Sequence, residues 1–180
     1  MKRVIRWAPA LVLAGAALGC RAPEGGRQVD LGLAPSLLPN LGLAASTSAA
    51  IARSPSYEWR AEARFTDQFV DDKTFADNGL PEAGNWTQLE LGLRGLSTPE
   101  ERSHWIVRFG AIGFDALGEP NLIEEPGDYL GVYGSFGRET DFGHGFSIGP
   151  EISLVAASGP DPFVLFPQLT WGIRWRPGAQ

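Results

Sequence analysis

The chain has 180 residues, a formal charge of −6, one cysteine and two histidines. A length near 180 suits one domain, the lone Cys20 excludes an internal disulfide, and the acidic balance argues against nucleic acid as a partner. Composition is otherwise that of a folded protein, with 43% hydrophobic and 20% charged residues.

The N-terminus has the anatomy of a targeting signal. Lys2, Arg3 and Arg6 form a positive region, and Ala8–Leu18 is an apolar run too short for a comfortable permanent span. The run ends in Ala17-Leu18-Gly19-Cys20. This resembles the lipobox of bacterial lipoproteins, in which the cysteine becomes the lipid-modified N-terminus. Ala17 stands where the usual motif has Leu. The resemblance covers only the first twenty or so residues. It implies a signal peptide over 1–19, an acyl chain on Cys20, membrane lipid as a partner through that anchor, and residence in the bacterial cell envelope, at the outer membrane. Loss of residues 1–19 takes the formal charge from −6 to −9 and leaves Lys73 as the only lysine.

Residues 20–55 carry the lipidated cysteine and then Gly, Pro, Ser and Ala with few aromatics, the composition of a flexible tether. An internal echo runs through it, Asp30-Leu-Gly-Leu-Ala and Asn40-Leu-Gly-Leu-Ala. Two short strands are the other reading of that echo; Pro35 and Pro39 favour the tether, because proline donates nothing to a ladder.

The domain proper is expected over 56–177. Tyr57–Phe65 alternates Tyr57, Trp59, Ala61, Ala63 and Phe65 with Glu58, Arg60, Glu62 and Arg64. In an extended strand, that period puts one apolar and one charged face on the chain, whereas a helix would spread the charges all round. Thr66–Asn85 is polar and loop-like. Its aspartates, Asp67, Asp71, Asp72 and Asp77, match no calcium-loop spacing, so no metal site is expected. Further strands are expected at Trp86–Leu96, His104–Phe114, Tyr129–Gly137, Phe146–Ala156 and Phe163–Trp175, with one helical turn allowed at Thr98-Pro99-Glu100-Glu101 and a turn at Arg138–Gly145. The whole is an all-β antiparallel meander closing into a small barrel of six to eight strands.

Two architectures fit this pattern. In a soluble barrel the apolar face is the core; in an outer-membrane barrel it meets lipid and the charged face lines the interior. Strand lengths and aromatics near strand ends favour the second. The interior would then hold Glu58, Arg60, Glu62, Arg64, Glu90, Arg94, Arg108, Glu151 and Arg174. Six strands and a superfluous lipid anchor speak against it.

Chemistry is sparsely signalled. No cofactor motif, metal-ligand spacing or phosphate loop occurs. Phe142-Gly-His144-Gly-Phe-Ser147, with Glu151 beyond, offers the residue types of a hydrolytic triad. The outer-membrane lipid A deacylases, small barrels that use a His, a Ser and an acid, are similar in size and strand pattern, but their His and Ser lie two apart and these lie three apart. The expected role is therefore structural or envelope-interacting. A soluble periplasmic barrel binding a small apolar ligand and a lipid-modifying hydrolase are the alternatives.

Overall fold

The computed structural model describes residues 29–38, 42–68, 85–98, 101–117 and 127–175. Cys20, the signal region and Asp71, Asp72 and Asp77 lie outside the described residues. The described chain forms eight strands: β1 (Val29–Leu38), β2 (Gly42–Arg53), β3 (Tyr57–Gln68), β4 (Asn85–Ser97), β5 (Ser103–Leu117), β6 (Gly127–Gly143), β7 (Phe146–Ser158) and β8 (Val164–Trp175). Each pairs antiparallel with the next, and β8 returns to β1, closing the barrel. Closure leaves no open strand edge, which a sheet surrounded by hydrocarbon cannot tolerate.

The expected tether at 20–55 is corrected by this topology: residues 29–53 supply β1 and β2. The echo folds onto itself as one hairpin, with Leu33 opposite Ala45 and Ala34 opposite Ala44. Pro35 is accommodated because its cost falls on one side only. The β1–β8 ladder has no pair between Leu33↔Ile173 and Ser36↔Thr170, while the ladder to β2 continues through Pro35↔Leu43. The two added strands bring the count from six to eight.

The turn expected at Arg138–Gly145 is likewise shorter than the sequence suggests. β6 runs on to Gly143, and the reversal is made by His144 and Gly145, with φ of 53° and 77°. Both angles are left-handed, the geometry of a tight hairpin turn. Asp141 accepts the Gly143 N–H at 2.7 Å, tying the bend. Near Thr98 the chain makes a turn, closed by the Glu101 N–H donating to the Thr98 carbonyl at 2.9 Å.

Burial decides between the two barrels. Glu58, Arg60, Arg94 and Arg108 are at most 1% exposed, whereas Leu91, Val132, Ile152 and Leu154 are each more than half exposed. The charged face points in and the apolar face points out, the reverse of a water-soluble barrel. The soluble alternative, with an apolar ligand in its core, is set aside on this ground. Ile106 and Ile112, which blur the alternation of β5, face inward on either side of Arg108, while Trp105, Val107 and Phe109 face outward.

The two ends differ. The β2–β3, β4–β5 and β6–β7 connections are short and share an end with the start of β1 and the end of β8. β3 and β5 end, and β4 and β6 begin, at the other end, with 16 and 9 residues between them in sequence. Outer-membrane barrels place short turns toward the periplasm and longer loops outside. Aromatics crowd the short-turn end. Trp105 stacks on Phe136 (centroids 4.9 Å apart), and Phe146 lies against Trp175 (6.3 Å). Trp59 covers the bare backbone of Gly95, its partner across β3 and β4.

Candidate functional site

The interior is the only region of the described barrel where ionisable groups gather, and alternation is what brings them there. Even-numbered residues of β3, β4, β5 and β8, and odd-numbered residues of β6 and β7, point inward. They deliver five arginines, Arg60, Arg64, Arg94, Arg108 and Arg174, and five glutamates, Glu58, Glu62, Glu90, Glu139 and Glu151, all buried. Matching matters, because each unmatched charge in a sealed interior carries a large desolvation cost; one further buried carboxylate, Asp161, accepts from the Tyr129 hydroxyl.

Arg108 is the hub at mid-barrel. Its Nε donates to Glu62 (2.7 Å), Nη1 to Glu151 (2.8 Å) and Nη2 to Glu90 (2.9 Å), three carboxylates on one planar fork. Its guanidinium lies 5.4 Å from the centroid of the Tyr133 ring. Arg64 stands 4.0 Å from Glu90 and 3.8 Å from Glu151, and Ser135 donates to Glu151 at 2.7 Å. Room for the Tyr133 hydroxyl comes from Gly92, whose backbone also packs closely on that of Gly110, its partner across β4 and β5. A Cβ on Gly92 would sit 2.7 Å from the Tyr133 hydroxyl.

A second knot lies nearer the short turns, around Glu139. It accepts from Arg94 Nη2 and Ser147 Oγ, each at 2.5 Å, and from Arg174 Nη1, with His104 Nε2 3.7 Å away. Close by, Glu58 pairs with Arg60, whose Nε donates to Ser48 at 2.9 Å. The small inward residues of β2, Ala44, Ser46 and Ser48, leave space for these long side chains.

Toward the long loops the interior loses charge. Gln88 and Gln168 exchange amide hydrogen bonds at 2.7 and 3.2 Å. Beyond them Ile112, Phe114, Tyr129, Tyr133, Val155, Ala157, Val164 and Phe166 pack into one apolar cluster. Phe114 stacks on Tyr129 at 5.0 Å and meets Phe166 edge-on at 5.7 Å. The Tyr129 hydroxyl donates to Asp161 at 2.8 Å. Hydrocarbon thus fills the loop end of the lumen, with matched charges beneath it.

All nine residues expected on an inner charged face are buried inside. Glu139 and His104 complete the knot, and sequence reasoning misses both. Glu139 falls in the segment that reads as a turn, and His104 carries no partner motif. The hydrolase candidates do not converge. His144 is exposed in the β6–β7 turn, whereas Ser147 and Glu151 face the interior and are engaged with Glu139 and with Arg108. Among the described residues no group of His, Cys, Asp and Glu has the arrangement of a metal site. The interior arginines and glutamates hold one another across strands, an arrangement that clamps the wall.

No family model and no curated protein matches the chain. Solved structures do. Ail, the attachment invasion locus protein of Yersinia pestis, in complex with the heparin analogue sucrose octasulfate, is similar at 13% identity over 83% of this chain and 97% of that one (TM-score 0.52). The N-terminal β-barrel domain of Pseudomonas aeruginosa OprF is similar at 8% identity over 83% and 96% (TM-score 0.50). The outer membrane enzyme PagL overlays at 13% identity over 79% and 97% (TM-score 0.46). What is shared is a fold, that of the small outer-membrane β-barrels. With its apolar exterior, the chain is a barrel of the outer membrane of the cell envelope.

Proposed function

We propose that this barrel serves the envelope as a structural or interaction element, tethered a second time by an acyl chain on Cys20. The observation that carries the structural role is the filled interior: matched Arg and Glu pairs capped by an apolar cluster. Such a lumen favours a rigid post over a water-filled pore. Contact with partners then falls to residues 69–84 and 118–126, which follow β3 and β5 at the same end of the barrel.

The anchor and the barrel are compatible. β1 begins at Val29 on the short-turn end, and residues 21–28 separate it from Cys20. Eight extended residues reach at most about 28 Å, so an acyl chain on Cys20 can enter the periplasmic leaflet beside the barrel.

Metabolic labelling with palmitate tests the anchor: wild type takes up label and Cys20→Ser does not. Equal label on both removes the lipoprotein reading. Single cysteines at Leu91 and Leu154 in the Cys20→Ser background test the barrel's placement. Both should react with a membrane-soluble maleimide and resist a charged one. The hydrolase alternative is read from purified protein on an ester lipid substrate. Activity lost in Ser147→Ala would replace the structural role with catalysis.

A further inference from the structure

The interior arginines lie among carboxylates, but one arginine on the outer wall does not. Arg138 points outward from β6 and is exposed. Its Nε donates to Ser103 Oγ at 2.9 Å, and its guanidinium lies 5.4 Å from the centroid of the Trp105 ring, its neighbour across β5 and β6. Among the described residues no carboxylate pairs with it. The remaining N–H groups are therefore aimed outward by one hydrogen bond and one aromatic face. The pair lies beside the β4–β5 turn, since the Trp105 N–H donates to Ser97 Oγ at 2.9 Å. That is headgroup height on the periplasmic side, where tryptophan rings settle.

Directly along the wall from Arg138 is a hollow. Phe136 stacks on Trp105, and two residues further Gly134 faces out with nothing within 4 Å of where a Cβ would be. Around it Val107, Phe109, Phe136, Ile152, Leu154 and Pro167 line an open cleft of about 530 Å³. Gly134 and Arg138 are four residues apart on one strand, about 13 Å. A phospholipid spans that distance between its phosphate and the middle of an acyl chain.

We infer that this face is a binding site for an anionic phospholipid of the periplasmic leaflet, with the phosphate on Arg138 and one acyl chain in the Gly134 cleft. The guanidinium fork matches phosphate oxygens, and the long side chain lets the charge sit at the interface while its stem stays on the wall. The cleft gives a chain a seat that the neighbouring outward wall of Leu130 and Val132, each more than half exposed, does not offer. The inference rests on the barrel standing in a bilayer with its short turns toward the periplasm.

The test uses the full chain purified in a neutral maltoside detergent and titrated with phosphatidylglycerol, with bound lipid counted by native mass spectrometry. Wild type should hold phosphatidylglycerol at least about tenfold more tightly than diacylglycerol, which lacks the phosphate. Arg138→Gln should erase that preference. Gly134→Leu, whose Cβ has nothing within 4 Å, should fill the cleft and weaken binding several-fold while keeping the preference. Heat-dependent gel mobility confirms that each variant is folded. Equal binding by wild type, Arg138→Gln and Gly134→Leu would overturn the site, as would equal binding of the two lipids. Glycerol phosphate binding as tightly as the lipid would overturn the cleft's role. The maleimide pattern at Leu91 and Leu154 reports on the barrel's placement separately, so failure of the site and failure of the placement are told apart.

Discussion

Removing Arg108 should cost more than any other single change inside the barrel. The side chain is fully buried and donates to Glu62, Glu90 and Glu151 at 2.7–2.9 Å. In Arg108→Met the volume is largely kept but three carboxylates lose their shared cation. Glu90 retains Arg64 at 4.0 Å, and Glu151 retains Arg64 at 3.8 Å and Arg174 at 3.5 Å. Glu62 keeps no arginine within 4.0 Å among the described residues, only the longer-range attraction of Arg174 and Arg94. Removing one partner of a buried ion pair typically costs about 3–5 kcal/mol, because the surviving charge stays buried. The two better-supported glutamates moderate the loss, so the expected value stays in that range and does not reach three times a single pair.

The assay is a urea titration of protein folded into lipid vesicles, read by tryptophan fluorescence and by gel mobility. Neutralising the stranded acid should undo some of the damage. Arg108→Met with Glu62→Gln should recover about half of the loss, whereas Glu62→Gln in wild type should itself destabilise by about 1–3 kcal/mol. A loss below about 1 kcal/mol for Arg108→Met, or no recovery in the double variant, would refute the claim that matched charge holds the lumen together.

Four further outcomes follow from the same geometry. Leu91→Arg, on the outward face, should cost about 2–4 kcal/mol in vesicles, and the same change at Phe163, beside the loop rim, about 0–1; equal costs would remove the lipid belt. Gly110→Ala should destabilise by about 1–3 kcal/mol, because its Cβ would fall 2.2 Å from the Leu91 carbonyl oxygen and push β4 and β5 apart. Gly134→Ala, with open space around it, should stay within about 0.5 kcal/mol in the same titration. Tyr129→Phe removes a hydrogen bond to the buried Asp161 carboxylate and should cost about 1.5–3 kcal/mol, measured the same way.

Where a strand has chemical contrast between its faces, the sequence is legible. Tyr57–Phe65 alternates aromatic or small residues with charges, and β3 begins at Tyr57 and passes through that stretch unchanged in register. Residues 29–53 have no such contrast. The inward residues of β2 are Ala44, Ser46 and Ser48 and its outward ones include Ala45, Thr47 and Ala49, so both faces read as linker. Ser48 stands there because Arg60 reaches across from β3 to donate to it, a reason that exists only once β2 and β3 are paired. β6 reads too short for a similar reason, since Gly131 and Gly137 seat neighbouring backbone. A Cβ on Gly137 would lie 2.5 Å from the Pro150 carbonyl oxygen, a contact that only the β6–β7 pairing creates.

The direction of the barrel is the harder question, because alternation looks the same from inside and outside. Charge balance breaks that symmetry. A face in water tolerates any excess of one sign, since each group keeps its own hydration; a sealed lumen does not. The nine inner residues expected from sequence hold four glutamates against five arginines. For a lumen that set is one acid short, which calls for a further carboxylate beside the arginines. Two buried carboxylates lie outside the set: Asp161, on the Tyr129 hydroxyl between β7 and β8, and Glu139. Glu139 lies toward the end of β6, accepting from Arg94 and Arg174, two arginines near the short turns. Counting signs on a candidate inner face therefore does two things for a chain of this kind. It separates a lumen from a surface, and it shows when a strand has been ended too soon.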